Sequence, residues 1–188
     1  MTFNNRNQND LLDYFNISNK YENSPINRLL DNKVISDKSS LLSKLKDKIK
    51  KVSNCELKDN AKNLVFSDGD QNSPLMIVGE GPGQKEDELS KPFVGDAGNL
   101  LNKMFDAIEI PREKIYITNV VNYRPPENRK PKASEIIKYS EFLKEHIFIL
   151  NPRILVLMGS TAMEALFGPD LKISKERGKW NKIIIKNK

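Results

Sequence analysis

The residues best placed to do chemistry are Glu80 and Asn119. Glu80 lies within Gly79-Glu80-Gly81-Pro82-Gly83, directly after the apolar run Leu75-Met76-Ile77-Val78. Four apolar residues between Pro74 and Gly79 predict a buried strand. Glycines at alternate positions, with a proline among them, can neither extend that strand nor open a helix. They predict a tight turn with exposed backbone at the strand's carboxyl end, which in an open parallel sheet is where ligands bind. Glu80 is then a carboxylate on a rigid turn at the mouth of a site. Asn119 sits within the β-branched and aromatic run Ile115-Tyr116-Ile117-Thr118-Asn119-Val120-Val121, where an amide needs a hydrogen-bonding reason to be present.

Composition narrows the choice of chemistry. The chain of 188 residues carries a net charge of +6, which permits a nucleic-acid partner and equally suits a solvated lysine-rich surface. Its single cysteine, Cys55, excludes an intrachain disulfide and a cysteine-built metal cluster. A reducing, cytoplasmic setting is the expectation, with no bound metal. No stretch is long enough to span a membrane, and the N-terminus has no apolar signal core. The only histidine, His146, lies between Glu145 and Ile147 and is expected to be a surface or half-buried helix residue.

The elements that position these residues follow from periodicity. Residues 1–38 are polar and Asn-rich, with a short helix over Asp10 to Phe15, and read as a weakly ordered extension. Residues 39–188 read as the folded domain. A helix is expected over Ser39 to Val52, capped by Ser39 or Ser40, with Leu41, Leu42, Leu45, Ile49 and Val52 inward. Leu64-Val65-Phe66 is expected as a short strand, and Ser67 to Asp70 as a turn. Asp96 caps a helix carrying Ala97, Leu100, Leu101, Met104, Phe105 and Ile108, ended by Pro111. Ile115 to Val121 is a strand, and Arg124 to Pro131 a proline-stiffened basic loop. Ser134 opens a helix with Ile136, Tyr139, Leu143, Ile147 and Leu150 inward. Ile154 to Met158 is another buried strand, and Gly159-Ser160 turns into a short helix. Ile183-Ile184-Ile185 begins one more strand. Alternating strands and helices predict an α/β fold: a three-layer α/β/α sandwich around a central, mostly parallel four-stranded sheet. The strand carboxyl ends then bring Glu80, Asn119 and Gly159-Ser160 to one rim.

These residues resemble the uracil-DNA glycosylase superfamily, and most closely its family 4 branch. The resemblance rests on six stretches in register, over roughly Ser53 to Trp180: Gly79 to Gly83; Glu86-Asp87; Pro92-Phe93-Val94-Gly95-Asp96-Ala97-Gly98; Tyr116 to Val121; Arg124-Pro125-Pro126-Glu127-Asn128-Arg129; and Arg177-Gly178-Lys179-Trp180. It implies a base-excision repair enzyme that hydrolyses the N-glycosidic bond of uracil in single- or double-stranded DNA, acting as a monomer. An enzyme of this kind takes the base out of the stack into a pocket. Phe93 would stack on the uracil, with plain core packing as the alternative. The Asn119 amide would donate to O4 and accept from N3–H, a pattern that cytosine reverses; the alternative is a strand-end residue capping the backbone. Glu80 would orient the attacking water or stabilise the oxocarbenium-like sugar, and the residues leave both open. Gly79, Gly81, Pro82 and Ser160 would line the uracil pocket, and Gly83 and Gln84 would offer it backbone N–H groups. Arg124, Arg129, Lys130 and Arg177 would contact phosphates.

The sequence departs from the branch in two ways. Many of its members hold a 4Fe–4S cluster on four cysteines. Here Tyr123 stands at one of those positions, Cys55 at another, and Val52 where a partner to Cys55 belongs. The cluster is therefore expected to be absent, with side-chain packing in its place. The branch also carries a His-Pro motif after its final strand, and this chain reads as truncated before it. A weakly active or inactive DNA- or uracil-binding remnant of the same fold is thus the competing reading. A dinucleotide-binding module is disfavoured, because Gly79-x-Gly81-x-Gly83 lacks the Gly-x-Gly-x-x-Gly spacing.

Overall fold

The structure, a computed structural model, describes residues 31–185. The helix expected over Asp10 to Phe15 and the polar stretch around it lie outside the described residues. In chain order the elements are α1 (Asp31–Lys50), α2 (Glu56–Asn60), β1 (Asp68–Gly69), β2 (Leu75–Gly79), α3 (Gln84–Leu89), α4 (Asp96–Asp106), β3 (Tyr116–Asn119), α5 (Ala133–Leu150), β4 (Ile154–Leu157), α6 (Ser160–Phe167) and α7 (Ile173–Glu176). Residues from Ile35 onward make one compact unit, described here by itself.

The sheet has four strands in the order β1-β3-β2-β4. β2 is central and parallel to both β3 and β4, and β1 pairs antiparallel with β3. Period-two alternation divides the strand side chains between two layers. Met76, Val78 and Tyr116 face the larger core, which they share with Leu42, Leu45 and Ile49 of α1, Leu57 of α2, Tyr139, Leu143 and Ile147 of α5, and Ala162 and Ala165 of α6. Ile77 and Ile117 face the other way, onto Leu101 and Phe105 of α4. Helices therefore cover both faces, as the alternating pattern requires.

Four expectations need correction. α1 begins at Asp31 rather than at a Ser39 or Ser40 cap. Leu64 to Phe66 is not a strand: Val65 N–H donates to the Asn122 carbonyl, and the Val65 and Phe66 carbonyls accept from the Asn122 and Thr118 side chains. The edge strand comes instead from Asp68-Gly69, expected as a turn. Ile183 to Ile185 forms no strand among the described residues, so the fourth strand is antiparallel β1. In α4 only part of the expected apolar face is covered. Leu101 is buried, while Leu100, Met104 and Ile108 are exposed, because a single helix overlies this side of the sheet and buries one stripe of itself.

His146 also differs from expectation, being fully buried in α5. Its ring stacks on Phe66 at 4.7 Å between centroids. Tyr116 Oη lies 2.7 Å from His146 Nε2 and 2.7 Å from Ser67 Oγ, so the tyrosine hydroxyl bridges the histidine and the serine. Burial holds the imidazole neutral by lowering its pKa from 6.5 to about 3. Unfolding restores the ordinary value, so the unfolded chain binds the extra proton below pH 6.5. Stability is then complete above that pH and declines as pH falls towards 3. We predict a loss of up to about 1.4 kcal/mol per pH unit between roughly pH 6 and 4.5, above the range in which ordinary carboxylates titrate. Urea melts across this range should show that slope, and His146→Gln should flatten it. A flat parent profile would contradict the assignment.

Candidate active site

The site begins with strand register. In the β2–β3 pair Gly79 stands opposite Asn119. The ladder runs on past the strand ends, with Val120 N–H donating to Gly79 at 2.9 Å and Val121 N–H to Glu80 at 3.1 Å. This extension holds the glycine turn flat against the Asn119 strand. Gly79 is glycine for want of space. A Cβ built there would come within 2.6 Å of the Phe93 ring and closer still to Asn119 Oδ1. Asn119 and Phe93 thus close on the same backbone atom from two directions.

Asn119 is 3% exposed, yet its side chain makes no hydrogen bond among the described residues. No sealed side-chain polar atom there lacks a partner, so the Asn119 amide must reach solvent at the strand end. A buried amide without a protein partner costs stability unless a ligand or water completes it. The capping alternative raised by the sequence finds no support, because no recorded bond joins this side chain to backbone. Phe93 is half-buried and packs against the smaller core. Its φ is +53°, a left-handed conformation. The turn is so tight that a Cβ on Gly98 would overlap the Phe93 carbonyl.

Glu80 is exposed at the head of the turn. Thr161 Oγ1 donates to its Oε2 at 2.5 Å, and Oε1 has no partner among the described residues. Thr161 is fully buried in the first turn of α6. Sequence reading reached only its neighbour Ser160, whose side chain is exposed and makes no recorded hydrogen bond. The signal that would have found Thr161 is helical phase: Thr161, Ala162 and Ala165 form the buried side of α6.

Glu86 is a second missed residue. Its carboxylate accepts from Gly83 N–H at 3.1 Å, Val94 N–H at 2.9 Å and Gly95 N–H at 2.7 Å. One side chain therefore ties the glycine turn to the Phe93 segment. The Gly83 N–H, expected to face a ligand, is committed to this bond, while the Gln84 N–H has no acceptor among the described residues. Pro82 is buried, and Gly81 packs against Val121 and Pro125. Asp87, also buried, accepts from the backbone of Lys62 and Asn63 and so fastens α3 to the segment before Leu64.

The basic residues divide. Arg129 makes a two-pronged pair with Glu135 at 2.9 and 2.7 Å and approaches Glu56 at 3.5 Å. That hydrogen-bonded pairing holds the Glu135 carboxyl below the usual carboxylate range and pushes Arg129 up. Arg129 thus braces the loop against α5, and its charge is already matched. Arg124 donates through Nε to Asn128 at 2.7 Å, its terminal nitrogens having no partner among the described residues, and Lys130 is exposed. Arg177 lines a groove beside β4 with Trp180, Ile154 and Phe148, a groove that Glu80, Phe93 and Asn119 do not enter.

Chemically, the rim offers one anchored carboxylate, one uncommitted amide and one aromatic face. Residues 66–186 match the model of the uracil DNA glycosylase superfamily. The chain is 39% identical to a type-4 uracil-DNA glycosylase of Thermotoga maritima over 142 residues, covering 75% of this chain and 74% of that protein. It is 38% identical to the type-4 enzyme of Saccharolobus solfataricus, over 74% of this chain and 68% of that one. With the type-4 enzyme of Pyrobaculum aerophilum it shares 41% identity over 66% of this chain and 64% of the relative.

We predict that Glu86→Ala destabilises the protein by about 2 kcal/mol, since three backbone donors lose a charged acceptor. Hydrogen exchange should show the Val94 and Gly95 amides deprotected, while those of β2 keep their protection. Unchanged Val94 and Gly95 exchange would contradict the tie.

Proposed function

The chain belongs to the uracil-DNA glycosylase superfamily, and from that premise we propose that it hydrolyses the N-glycosidic bond of uracil in DNA. The observation that carries this reading is the Asn119 amide, buried, without a partner among the described residues and set beside the Phe93 ring across Gly79. A flipped uracil offers that amide an N3–H to its oxygen and an O4 to its NH2 group, and offers the ring a flat face. Cytosine presents the opposite pattern, so the same amide would discriminate against it.

In this reading the C1′–N1 bond breaks with its electron pair leaving on uracil N1, the oxygen of a water bonds to C1′, and the proton that this water loses neutralises the departing uracil anion. Thr161 holds one Glu80 oxygen, which supports a water-orienting role for the other. The carboxylate charge also favours the oxocarbenium-like sugar as the bond opens. The Gln84 N–H and the walls formed by Gly79, Gly81, Pro82 and Ser160 would complete the uracil pocket. Arg124 and Lys130 would take DNA phosphates, single- or double-stranded, with Arg177 on a more distant stretch. Arg129 would act by stiffening the loop that carries them.

The proposal includes no iron–sulfur cluster. Such a cluster needs several thiolates, and the sequence holds one cysteine. Cys55 Sγ lies 3.3 Å from Tyr139 Oη in the buried core, and Tyr123 is buried in the same cluster. Burial pushes both phenols above their ordinary values, which suits a packed wall of neutral side chains. A monomer in the cytoplasm is the simplest setting, and an unpaired, buried thiol is compatible with a reducing compartment.

The test is a labelled oligonucleotide with one uracil, incubated with the protein and then treated with alkali to cut abasic sites. We expect cleavage at the uracil, reduced at least about a hundred-fold by combining Glu80→Ala with Asn119→Ala. A folded parent protein that binds this DNA but leaves the uracil in place would overturn the enzymatic reading in favour of a binding remnant.

A further inference from the structure

Arg112 opens a 3-10 turn, Arg112–Lys114, just before β3. Its guanidinium is mostly withdrawn from solvent, at 19% exposure. Nε donates to Asp68 Oδ2 at 3.0 Å, Nη1 to the Phe93 carbonyl at 3.0 Å and Asn102 Oδ1 at 2.9 Å, and Nη2 to the Pro92 carbonyl at 2.7 Å. Nη2 also stands 3.0 Å from Asp68 Oδ2. Two of these acceptors are consecutive carbonyls of the segment that carries the Phe93 ring. That segment is the one forced into a left-handed turn at Phe93, a conformation that L-residues with side chains rarely adopt.

Geometry explains why the device is an arginine. A planar fork can bind two adjacent carbonyls with one edge while its Nε faces a carboxylate. A lysine ammonium would reach one of these groups at a time. Asp68 supplies the anchor, and Asp68 belongs to β1, the short antiparallel edge strand. The chain of contact therefore runs from the sheet edge through Asp68 and Arg112 to the backbone beneath Phe93, and from there to Gly79 and Asn119. On the other side of the same segment, Glu86 holds the Val94 and Gly95 N–H groups. The segment is thus gripped by its carbonyls from one side and by its amides from the other.

We propose that Arg112, anchored by Asp68, is the positioning residue that holds the Phe93 ring over Gly79 at the distance a stacked base needs. What the ring does rests on the glycosylase reading; where the ring is held does not. Near-attack geometry is sensitive to displacements of about 1 Å, which can cost on the order of a hundred-fold in rate. The Arg112 guanidinium spends its N–H groups on Asp68, Asn102 and the Pro92 and Phe93 carbonyls, so its effect is on the bond-breaking step through the ring.

The experiment places 4-fluorophenylalanine at position 93 of the full chain and follows its single fluorine resonance. In Arg112→Ala the resonance should move towards the value of the free amino acid, and added guanidinium should bring it back. Arg112→Lys should not restore it, and Asp68→Asn should reproduce part of the shift. In parallel, single-turnover excision at saturating DNA should fall about a hundred-fold in Arg112→Ala and recover with guanidinium, while affinity for abasic DNA stays unchanged. A fluorine resonance indifferent to Arg112 would overturn the clamp, as would a shifted resonance with undiminished excision. If the parent excises no uracil while the resonance still depends on Arg112 and guanidinium, the glycosylase reading fails and the clamp stands. Should Arg112→Ala fail to fold, Arg112→Lys and Asp68→Asn carry the same measurements.

Discussion

The parallel pairing of β2 with β3 sets Gly79 opposite Asn119, and the rest of the site depends on that register. A shift of one residue would turn Met76, Val78 and Tyr116 away from the larger core and Ile77 and Ile117 away from the smaller one. Two buried faces therefore lock the register. The lack of a side chain at Gly79 is then the opening through which Asn119 and Phe93 meet. The hydrophobic layers fix the geometry, and the polar site takes the position they leave at the strand ends.

Few charges in the site are left to solvent alone. Glu86, Asp87, Glu135 and Arg112 each collect several hydrogen bonds, mostly to backbone or to an oppositely charged side chain such as Arg129 or Asp68. Such charge-assisted bonds are stronger than neutral ones, and they hold loops that no strand ladder reaches. The left-handed turn at Phe93 is retained only because its surroundings over-determine it. Against this background three groups without a partner among the described residues stand out: the Asn119 amide, one oxygen of Glu80 and the terminal nitrogens of Arg124. A site is readable here as the place where an otherwise satisfied structure leaves valence open.

The opposite side of the sheet shows the contrast. His146, Tyr116 and Ser67 bond in a chain beside Phe66, and Cys55 meets Tyr139. These groups are as polar as those of the rim, but their partners are all internal. His146 is held neutral there, so the only imidazole in the chain belongs to the core and not to the chemistry.

Much of this was legible beforehand. Apolar runs at Leu75, Ile115 and Ile154 gave strands, although β4, expected buried, leaves Ile154 exposed and its other residues only half-buried, and helical spacing gave α4, α5 and the buried face of α1, because burial imposes periods that survive in the sequence alone. The glycine turn placed Glu80 at the rim by the same logic. What composition and spacing left undetermined were contacts across long separations. Thr161 reaches Glu80 from 81 residues away, and Asp68 reaches Arg112 from 44. Arg129 looked like a phosphate ligand until Glu135 was found beside it. The edge strand formed at Asp68-Gly69 instead of Leu64 to Phe66, since pairing depends on where β3 offers an open edge. Local pattern determined where the main strands, helices and the glycine turn fall, because those follow from hydrophobic periodicity and backbone sterics near at hand; the exposure of Leu100 and Met104 and the burial of His146 depended on what packs against them. Tertiary structure alone decided which polar groups are satisfied and which remain available, because a hydrogen bond depends on a partner that the sequence holds far away.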